Sequence, residues 1–593
     1  MRLEKLKING FRNFEQIEVN LNQSTLLIGP NDVGKTNLIY ALRILFDKSL
    51  SIDDITLKDS DFNVNNNKNE LTIIVSITDF NEVDDEKIIS KHGKSRNCSD
   101  GRLYIGYKAY RYNEEPFEFF IGDSWAIVDN PLCKIDGRTY LNSIYMAYLD
   151  SSRLLGSFLK TAKRRMIDNF KNGRDDSVVE EDNLYISNAK THYNEANIEL
   201  EKVSYIKDSA GFISKRMSDF DEKDKDNITL SVSDSFDDFE RNLELVSVVD
   251  GKKVEIGGDG RSNEIYLIMW IFEQINIAKK KNCKVIFAIE EPENHLYFPL
   301  QSLISQNIQE YLKEYQYIVS SHSPVIFNNF NPSSIVRLKY DNSNKTKVVN
   351  NGCTNALLDS FYTFGFRHNI MTNEMFFADS VLLVEGISEK LLYSTISKVN
   401  DNILEKKNVR VIQVDGVGFS VYVKILRSLD IKFAIRTDND FIPVKYGTGR
   451  KKTRYYMGGL IRLIELYNEY SLGNYVFDKS LFDKLDKPKI PRRLNSTYKE
   501  YVLELEKANL FLSKVDLEYD TFYSPLNCEI INYYSTKGIT TPDDIIEEMR
   551  KSKGNNMFDL LQKIDLNELK KVNKKTPLVK ALLRAIDLGE SKC

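Results

Sequence analysis

A chain of 593 residues, 42% hydrophobic and 28% charged, has the composition of globular protein and is too long for one core, so domains of ~100–200 residues predict three or four units. Its formal net charge of −4 argues against a uniformly cationic nucleic-acid coat but leaves room for local basic patches. No apolar run approaches the ~20 residues that span a bilayer, no signal-peptide core follows Met1, and the six cysteines are scattered without a C-x-x-C pair; these features predict a cytoplasmic protein without a membrane segment, disulfide framework or zinc ribbon.

Residues 2–22 read as two strands around Gly10-Phe11-Arg12-Asn13-Phe14, and residues 24–28 as a short buried strand. That strand runs into Gly29-Pro30-Asn31-Asp32-Val33-Gly34-Lys35-Thr36, which fits the P-loop pattern G-x-x-x-x-G-K-[ST], and residues 37–47 follow with helical spacing. Glycines let backbone N–H groups curl around a phosphate, and a helix N-terminus adds positive potential there. Lys35 would meet the β- and γ-phosphates of ATP and Thr36 its Mg²⁺; Gly29, Asn31, Gly34 and Asn37 complete the candidate nucleotide contacts.

Strand-type sequence dominates to about residue 150, at 71–77, 103–110, 117–121 and 144–149. Residues 156–245 are charged and helix-like, with runs such as Lys163-Arg164-Arg165, and predict an inserted helical module. Ile256-Gly257-Gly258-Asp259-Gly260 then precedes an apolar helix at 265–277. A buried strand at 285–289 ends in Glu290-Glu291-Pro292-Glu293-Asn294-His295, and another at 317–321 ends in His322-Ser323-Pro324. Two carboxylates at a strand end suit phosphate hydrolysis: Glu290 would hold Mg²⁺ and its water, Glu291 would serve as base, and His322 would sense the γ-phosphate. His295 reads as a packing or capping residue.

About 250 residues separate Lys35 from Glu290, so the two halves of the site must be joined around the insertion. This arrangement resembles the SMC/RecF/ABC-type ATPase heads, and the stretch Ala288-Ile289-Glu290-Glu291-Pro292-Glu293-Asn294-His295 is especially similar to that of the overcoming lysogenization defect (OLD) family. The resemblance implies a homodimer or higher oligomer in which Gly258 faces the ATP of a second protomer, although this glycine-rich stretch lacks the serine of the usual signature.

Residues 346–375 carry no pattern and predict a linker. Beyond it, a buried strand delivers Glu385 to its edge, Gly386 turns, and Glu389 lies in the first turn of a helix at about 388–397. A second buried strand, 432–436, ends in Thr437-Asp438-Asn439-Asp440, whose i, i+2 spacing sets both aspartates on one side of an extended chain. Four carboxylates at adjacent strand ends ask for Mg²⁺ or Mn²⁺, which prefer hard oxygen ligands.

Glu385-Gly386 with Asp438-x-Asp440 looks like a Toprim domain, and Leu517-Glu518-Tyr519-Asp520 is similar to a segment of OLD-family nucleases. The resemblance implies that Glu518 and Asp520 complete a second metal position and that Lys553 neutralises charge on a scissile phosphate. Arg450, Lys451, Lys452 and Arg454, beside Tyr455 and Tyr456, combine phosphate-seeking cations with stacking rings, and Lys570-Lys571 with Lys574-Lys575 is a second candidate or a solvated helix face.

The expected architecture is a multidomain α/β chain: an ABC/SMC-like ATPase head at 1–155 and 246–345, a helical, dimerising insertion at 156–245, a linker at 346–375 and a Toprim α/β domain with a parallel sheet at 376–593. The resemblance implies an ATP-regulated, metal-dependent DNA endonuclease in bacterial anti-phage defence, working with a helicase as the Gabija-type nuclease or with a retron reverse transcriptase and its DNA. The competing readings are a RecF/SMC-like ATP-driven DNA-binding repair protein without nuclease activity and a Toprim topoisomerase, for which no catalytic tyrosine stands out. A primase is disfavoured by the missing zinc cysteines.

Overall fold

The computed structural model describes all residues except 66–67, 81–100, 114, 152–166, 168–177, 183, 186–202, 221–226, 233–242, 250–251, 256–258, 295, 342, 344, 356–357, 359–361, 363–369, 415–417, 447–451, 573–575 and 591–593. It divides into two units, residues 1–339 with 346–353, and residues 340–345 with 354–593.

In the first unit, strands β1 (Arg2–Phe11), β2 (Phe14–Asn20), β4 (Glu70–Thr78), β5 (Leu103–Tyr110), β6 (Phe117–Gly122) and β7 (Lys134–Ile135) form an antiparallel sheet in the order β2-β1-β4-β5-β6-β7. Alternation fixes its faces: β1 buries Leu3, Leu6 and Ile8 and leaves Lys5 and Lys7 to pair with Glu18 of β2. The second sheet gathers β3 (Ser24–Ile28), β8 (Ile144–Leu149), β12 (Lys284–Glu290), β13 (Gln316–Ser320), β14 (Ile335–Tyr340) and β15 (Thr346–Val348) in the order β15-β14-β3-β13-β12-β8. Strands β14, β3, β13, β12 and β8 run parallel, and their near-continuous apolar runs are those of a sheet covered on both faces. Trp270 of the helix Asp259–Lys281, for example, meets Phe287 of β12 edge-on at 5.6 Å. Parallel strands share one C-terminal edge, so Gly29, Asp150, Glu290 and Ser321 all leave the sheet at the same side.

Two expectations are corrected here. The insertion at 156–245 is not all helical: besides the helix Ser204–Phe220, β9 (Asn227–Val232) and β10 (Leu243–Val249) pair antiparallel with each other and β10 with β11 (Lys252–Glu255). The alternation of Ile228, Leu230 and Val232 is a strand signal that the charged flanks obscure. The expected linker at 346–375 also starts too early. Thr346 donates to Val33 O at 3.0 Å and Cys353 N to Asn20 O at 3.0 Å, so these residues belong to the first unit.

The second unit is built on a parallel sheet of β16 (Ser380–Val384), β17 (Val409–Gln413), β18 (Lys432–Thr437) and β21 (Leu510–Leu512), in the order β17-β16-β18-β21. Its core runs from Leu382 and Val384 through Leu392, Tyr393 and Ile396 of the helix Ile387–Val399 to Phe522, Leu560 and Leu582. An antiparallel hairpin, β19 (Phe441–Tyr446) and β20 (Lys452–Met457), leaves the end of β18 and returns to open the helix Gly458–Glu469. Among the described residues no helix is long and apolar enough to cross a membrane.

Candidate functional site

The P-loop of the first unit is held from beneath. Gly29 (φ 154°) and Gly34 (φ 105°) take positive φ, which glycine adopts at least cost, and a Cβ on Gly34 would run into the Asn13 side chain. Asn13 Nδ2 donates to Val33 O and to Thr346 Oγ1, both at 2.7 Å. Asn37 was expected to contact nucleotide, but its amide is taken on both sides: Nδ2 donates to Asn13 Oδ1 at 2.7 Å, and Oδ1 accepts from Arg12 Nη1 at 2.8 Å. Arg12 also binds Asp61 at 2.9 Å and lies over the Tyr40 ring at 4.4 Å. Arg12 and Asn13, which read only as a turn in the sequence, are therefore the clamp of the loop. Asn31 and Thr36 are exposed.

Lys35 Nζ donates to Gly29 O at 3.0 Å and Pro30 O at 2.7 Å, across its own loop. Burial lowers its pKa to about 8 against the pull of Glu291, Asp32, Glu293 and Glu290. Glu290 ends β12 with its side chain buried; Thr36 Oγ1 donates to its Oε2 at 3.4 Å. Burial, then the charge of Asp150, raises Glu290 to about 7. Glu291 turns at φ 45° and sits 3.7 Å from His322 Nε2. Burial, then Lys35, lowers the His322 pKa, which favours the neutral imidazole. Glu293, given no role by the sequence, fixes that neighbourhood: its Oε1 accepts from Ser321 Oγ at 2.8 Å and His322 N at 2.7 Å. The signal was present in Glu290-Glu291-Pro292-Glu293, a third acid in an apolar setting.

In the second unit the acids meet at the edge of β16 and β18. Glu385 Oε1 accepts from Asp438 N at 3.1 Å and from Thr437 Oγ1, and Arg462 Nη1 reaches it at 2.5 Å. Glu389, in the first turn of its helix, and Asp438 are buried, and Asp440 is exposed. Burial, then neighbouring Glu389 and Glu385 against Arg436, pushes Asp438 to about 8. Glu518 arrives on the helix Leu517–Phe522; burial raises it too, and neither of its buried oxygens has a hydrogen-bond partner. The helices Pro542–Lys551 and Lys553–Lys563 break at Ser552 (φ −139°, ψ 67°), which turns Lys553 inward. Its Nζ lies 3.6 Å from Asp438 Oδ2 and 3.5 Å from Glu518 Oε2.

Asp520 is engaged by protein groups. It was expected to offer oxygen to a metal, but its Oδ2 accepts from Arg436 Nη2 at 2.8 Å, both side chains being buried, and its Oδ1 accepts from Lys514 N at 3.3 Å. Arg436 and Arg462 were missed by sequence reasoning. Arg436 had a signal, since a cation inside the apolar strand Lys432–Thr437 must find an anion. Arg462 is positioned by Gly458-Gly459: a Cβ on Gly459 would run into Asp438 O, so the helix start lies against the D-x-D strand and Arg462 follows a turn later.

Among the described residues no three His, Cys, Asp or Glu side chains form a preassembled metal-holding group; Arg462 and Lys553 lie against the acids instead. The donor set nonetheless fits a hard cation, because Glu518 presents buried carboxylate oxygens whose one ion-pair partner among the described residues is the half-exposed Lys553 ammonium at 3.5 Å. Arg454 stands on β20 with only a 3.9 Å contact to exposed Asp486. Gly258, His295, Arg450 and Lys451 lie outside the described residues, as do Lys163-Arg164-Arg165 and Lys574-Lys575 and the side chain of Lys452.

An AAA ATPase domain family matches residues 1–244 and 219–327, and an overcoming lysogenization defect protein-like TOPRIM domain matches residues 376–440. The chain is 25% identical over 586 residues to "Endonuclease GajA" of Bacillus cereus (strain VD045), covering 96% of both chains. It is 24% identical over 457 residues to the "OLD nuclease" of Thermus scotoductus, covering 74% of this chain and 83% of the other. The SMC head domain from Thermotoga maritima aligns with 59% of this chain and 98% of its own, at 12% identity and a TM-score of 0.33, too low to carry weight.

Proposed function

Because the chain belongs to the AAA ATPase domain family and joins that domain to an OLD-type TOPRIM domain, we propose that it is an ATP-regulated, divalent-metal-dependent DNA endonuclease. The observation that carries this reading is the convergence of Glu385, Asp438 and Glu518 with Lys553 between the last two. Glu385, Glu389, Asp438, Asp440 and Glu518 would hold Mg²⁺ or Mn²⁺, which when bound supplies charge stabilisation and an activated water for phosphodiester hydrolysis. Lys553 neutralises the scissile phosphate, as an ammonium free to leave its carboxylates once a cation satisfies them. Asp520 and Arg436 form the floor beneath. Arg450, Lys451, Lys452 and Arg454 grip the DNA backbone.

In the first unit, Gly29, Gly34, Lys35 and Thr36 bind ATP, Glu290 faces its Mg²⁺, Glu291 acts as base and His322 reads the γ-phosphate, with Gly258 supplied by a second protomer. On this reading the protein is a cytoplasmic homodimer or higher oligomer in anti-phage defence, and the relative named Endonuclease GajA, together with the Gabija-type resemblance, favours a helicase partner over a reverse transcriptase. The test is nicking of supercoiled plasmid with Mg²⁺ or Mn²⁺, with and without ATP. Asp438→Ala abolishes nicking and leaves ATP hydrolysis intact; cleavage that survives in this variant overturns the site.

A further inference from the structure

The helix Leu517–Phe522 brings Glu518 to the acidic centre, and the residue that caps its N-terminus carries a cation of its own. Asp516 is buried; its Oδ1 accepts from Tyr519 N at 2.8 Å and its Oδ2 accepts from Arg550 Nε at 2.6 Å. Arg550 stands in the last turn of the helix Pro542–Lys551, and Lys553 opens the next helix beyond the break at Ser552. Two cations three residues apart thus stand over two carboxylates two residues apart: Arg550 on Asp516, and Lys553 on Glu518 at 3.5 Å. The acidic centre reaches Arg550 as well. Against burial, the Asp516 hydrogen bond and then the charges of Asp516, Glu518 and Asp438 raise its pKa.

An arginine on a helix cap is ordinarily a structural ion pair. Arg550 departs from that in what it leaves unused, because a guanidinium has five N–H donors in a rigid fork. Among the described residues its guanidinium makes no hydrogen bond beyond the one from Nε, and its side chain is 39% exposed against 9% for that of Asp516. The buried carboxylate therefore fixes the guanidinium from one side and leaves the Nη1 and Nη2 edge to solvent. That edge matches two oxygens of one phosphate. The other cations of the centre, Arg462 and Lys553, are turned onto its acids.

We propose that Arg550 is a phosphate-binding residue for the DNA strand: its Nη edge holds a phosphodiester flanking the one at Glu518 and Lys553, and Asp516 is the positioning residue that aims it. This rests on the reading of the acidic centre as a DNA nuclease. A strand laid across Glu385, Asp438 and Glu518 meets their repulsion on both sides of the scissile group. A fixed guanidinium beside them offsets it at one flanking phosphate. Lys551, the next residue, is exposed and pairs with Glu548 at 2.8 Å, so it is a local control of the same charge.

The experiment measures, on the full chain, nicking kinetics on supercoiled plasmid and equilibrium binding of a fluorescein-labelled DNA duplex, the latter in the Asp438→Ala background across a salt series. Arg550→Gln raises KM about tenfold, the worth of one charge-assisted contact, while kcat stays within about threefold. The slope of log K against log salt becomes shallower by about one. Arg550→Lys keeps the slope and recovers only part of KM, because a point charge replaces a fork. Lys551→Gln keeps KM within about twofold of wild type. Arg550→Gln with KM and salt slope both at wild-type values overturns the assignment, and so does a fall in kcat alone, which would make Arg550 a scaffold for Glu518. If the glutamine variant does not fold, Arg550→Lys with a wild-type KM overturns it instead. Each of these leaves the nuclease reading standing; wild type that does not nick, or Asp438→Ala that nicks as fast, overturns that reading itself.

Discussion

Replacing Asp520 with alanine separates a scaffold from a metal ligand. The Arg436 and Asp520 side chains are 2% and 4% exposed and meet at 2.8 Å, and Arg436 Nη1 already lacks a hydrogen-bond partner. Removing the carboxylate leaves a buried guanidinium without its main counter-charge. Breaking such a pair from one side costs ~3–5 kcal/mol; Glu389 and Asp438, which also act on Arg436, hold the loss toward the lower figure. For a unit of this size each kcal/mol moves the midpoint by ~2–4 °C, so the transition of the second unit falls by ~6–20 °C. Calorimetry on the full chain, in EDTA, reads it directly, and Asp520→Asn, which keeps an acceptor for Arg436, falls less. Asp520→Ala that melts within about 2 °C of wild type while its Mn²⁺ affinity collapses refutes the scaffold role and makes Asp520 a ligand.

Four further outcomes follow from the geometry and the charge of the two sites. Lys35→Ala removes the ammonium that spans the P-loop; nucleotide binding falls by about tenfold or more, read by equilibrium titration, and the ATP response of DNA cleavage disappears with it. Asp438 has its pKa raised to about 8 and is mostly protonated at pH 7. Metal binding must displace that proton, so Mn²⁺ affinity rises from pH 6.5 to above 8, and calorimetry in buffers of different ionisation enthalpy shows proton release that Asp438→Asn lacks. The same shift makes the metal-free second unit lose stability as pH rises from the ordinary carboxylate range toward 8, because the folded state holds the proton more tightly than the unfolded chain. Gly459→Ala drives a methyl into Asp438 O and costs ~1–3 kcal/mol with loss of nicking. Gly458→Ala presses only on the flexible end of Ile442, at 2.6 Å, and meets Asp440 O at an ordinary 3.5 Å, and its nicking stays near the wild-type rate.

The strands that carry the chemistry were legible because parallel, doubly covered strands read as unbroken apolar runs that stop at charged residues. Glu290 stands at such a stop in the first unit, and Glu385 and Asp438 stand at the ends of neighbouring parallel strands in the second. The residues that position them were not legible. Asn13 and Asn37 bind each other from segments 24 residues apart, and Arg462 reaches Glu385 across 77 residues; no local period records such pairings. The partner of Asp520, Arg436, was equally hidden, because a run of acids looks alike whether each faces a cavity or a buried arginine. The insertion misled because weak β alternation was set among charges, where composition speaks for helix.

The hairpin of β19 and β20 departs from Asp440 and comes back at Gly458, whose N–H donates to Asp440 O at 2.8 Å. Its two roots are thus tied to each other before the ribbon begins. The ribbon therefore begins and ends on the acidic centre, so a change in the pairing of β19 with β20 is passed straight to Asp440 and to the helix that carries Arg462.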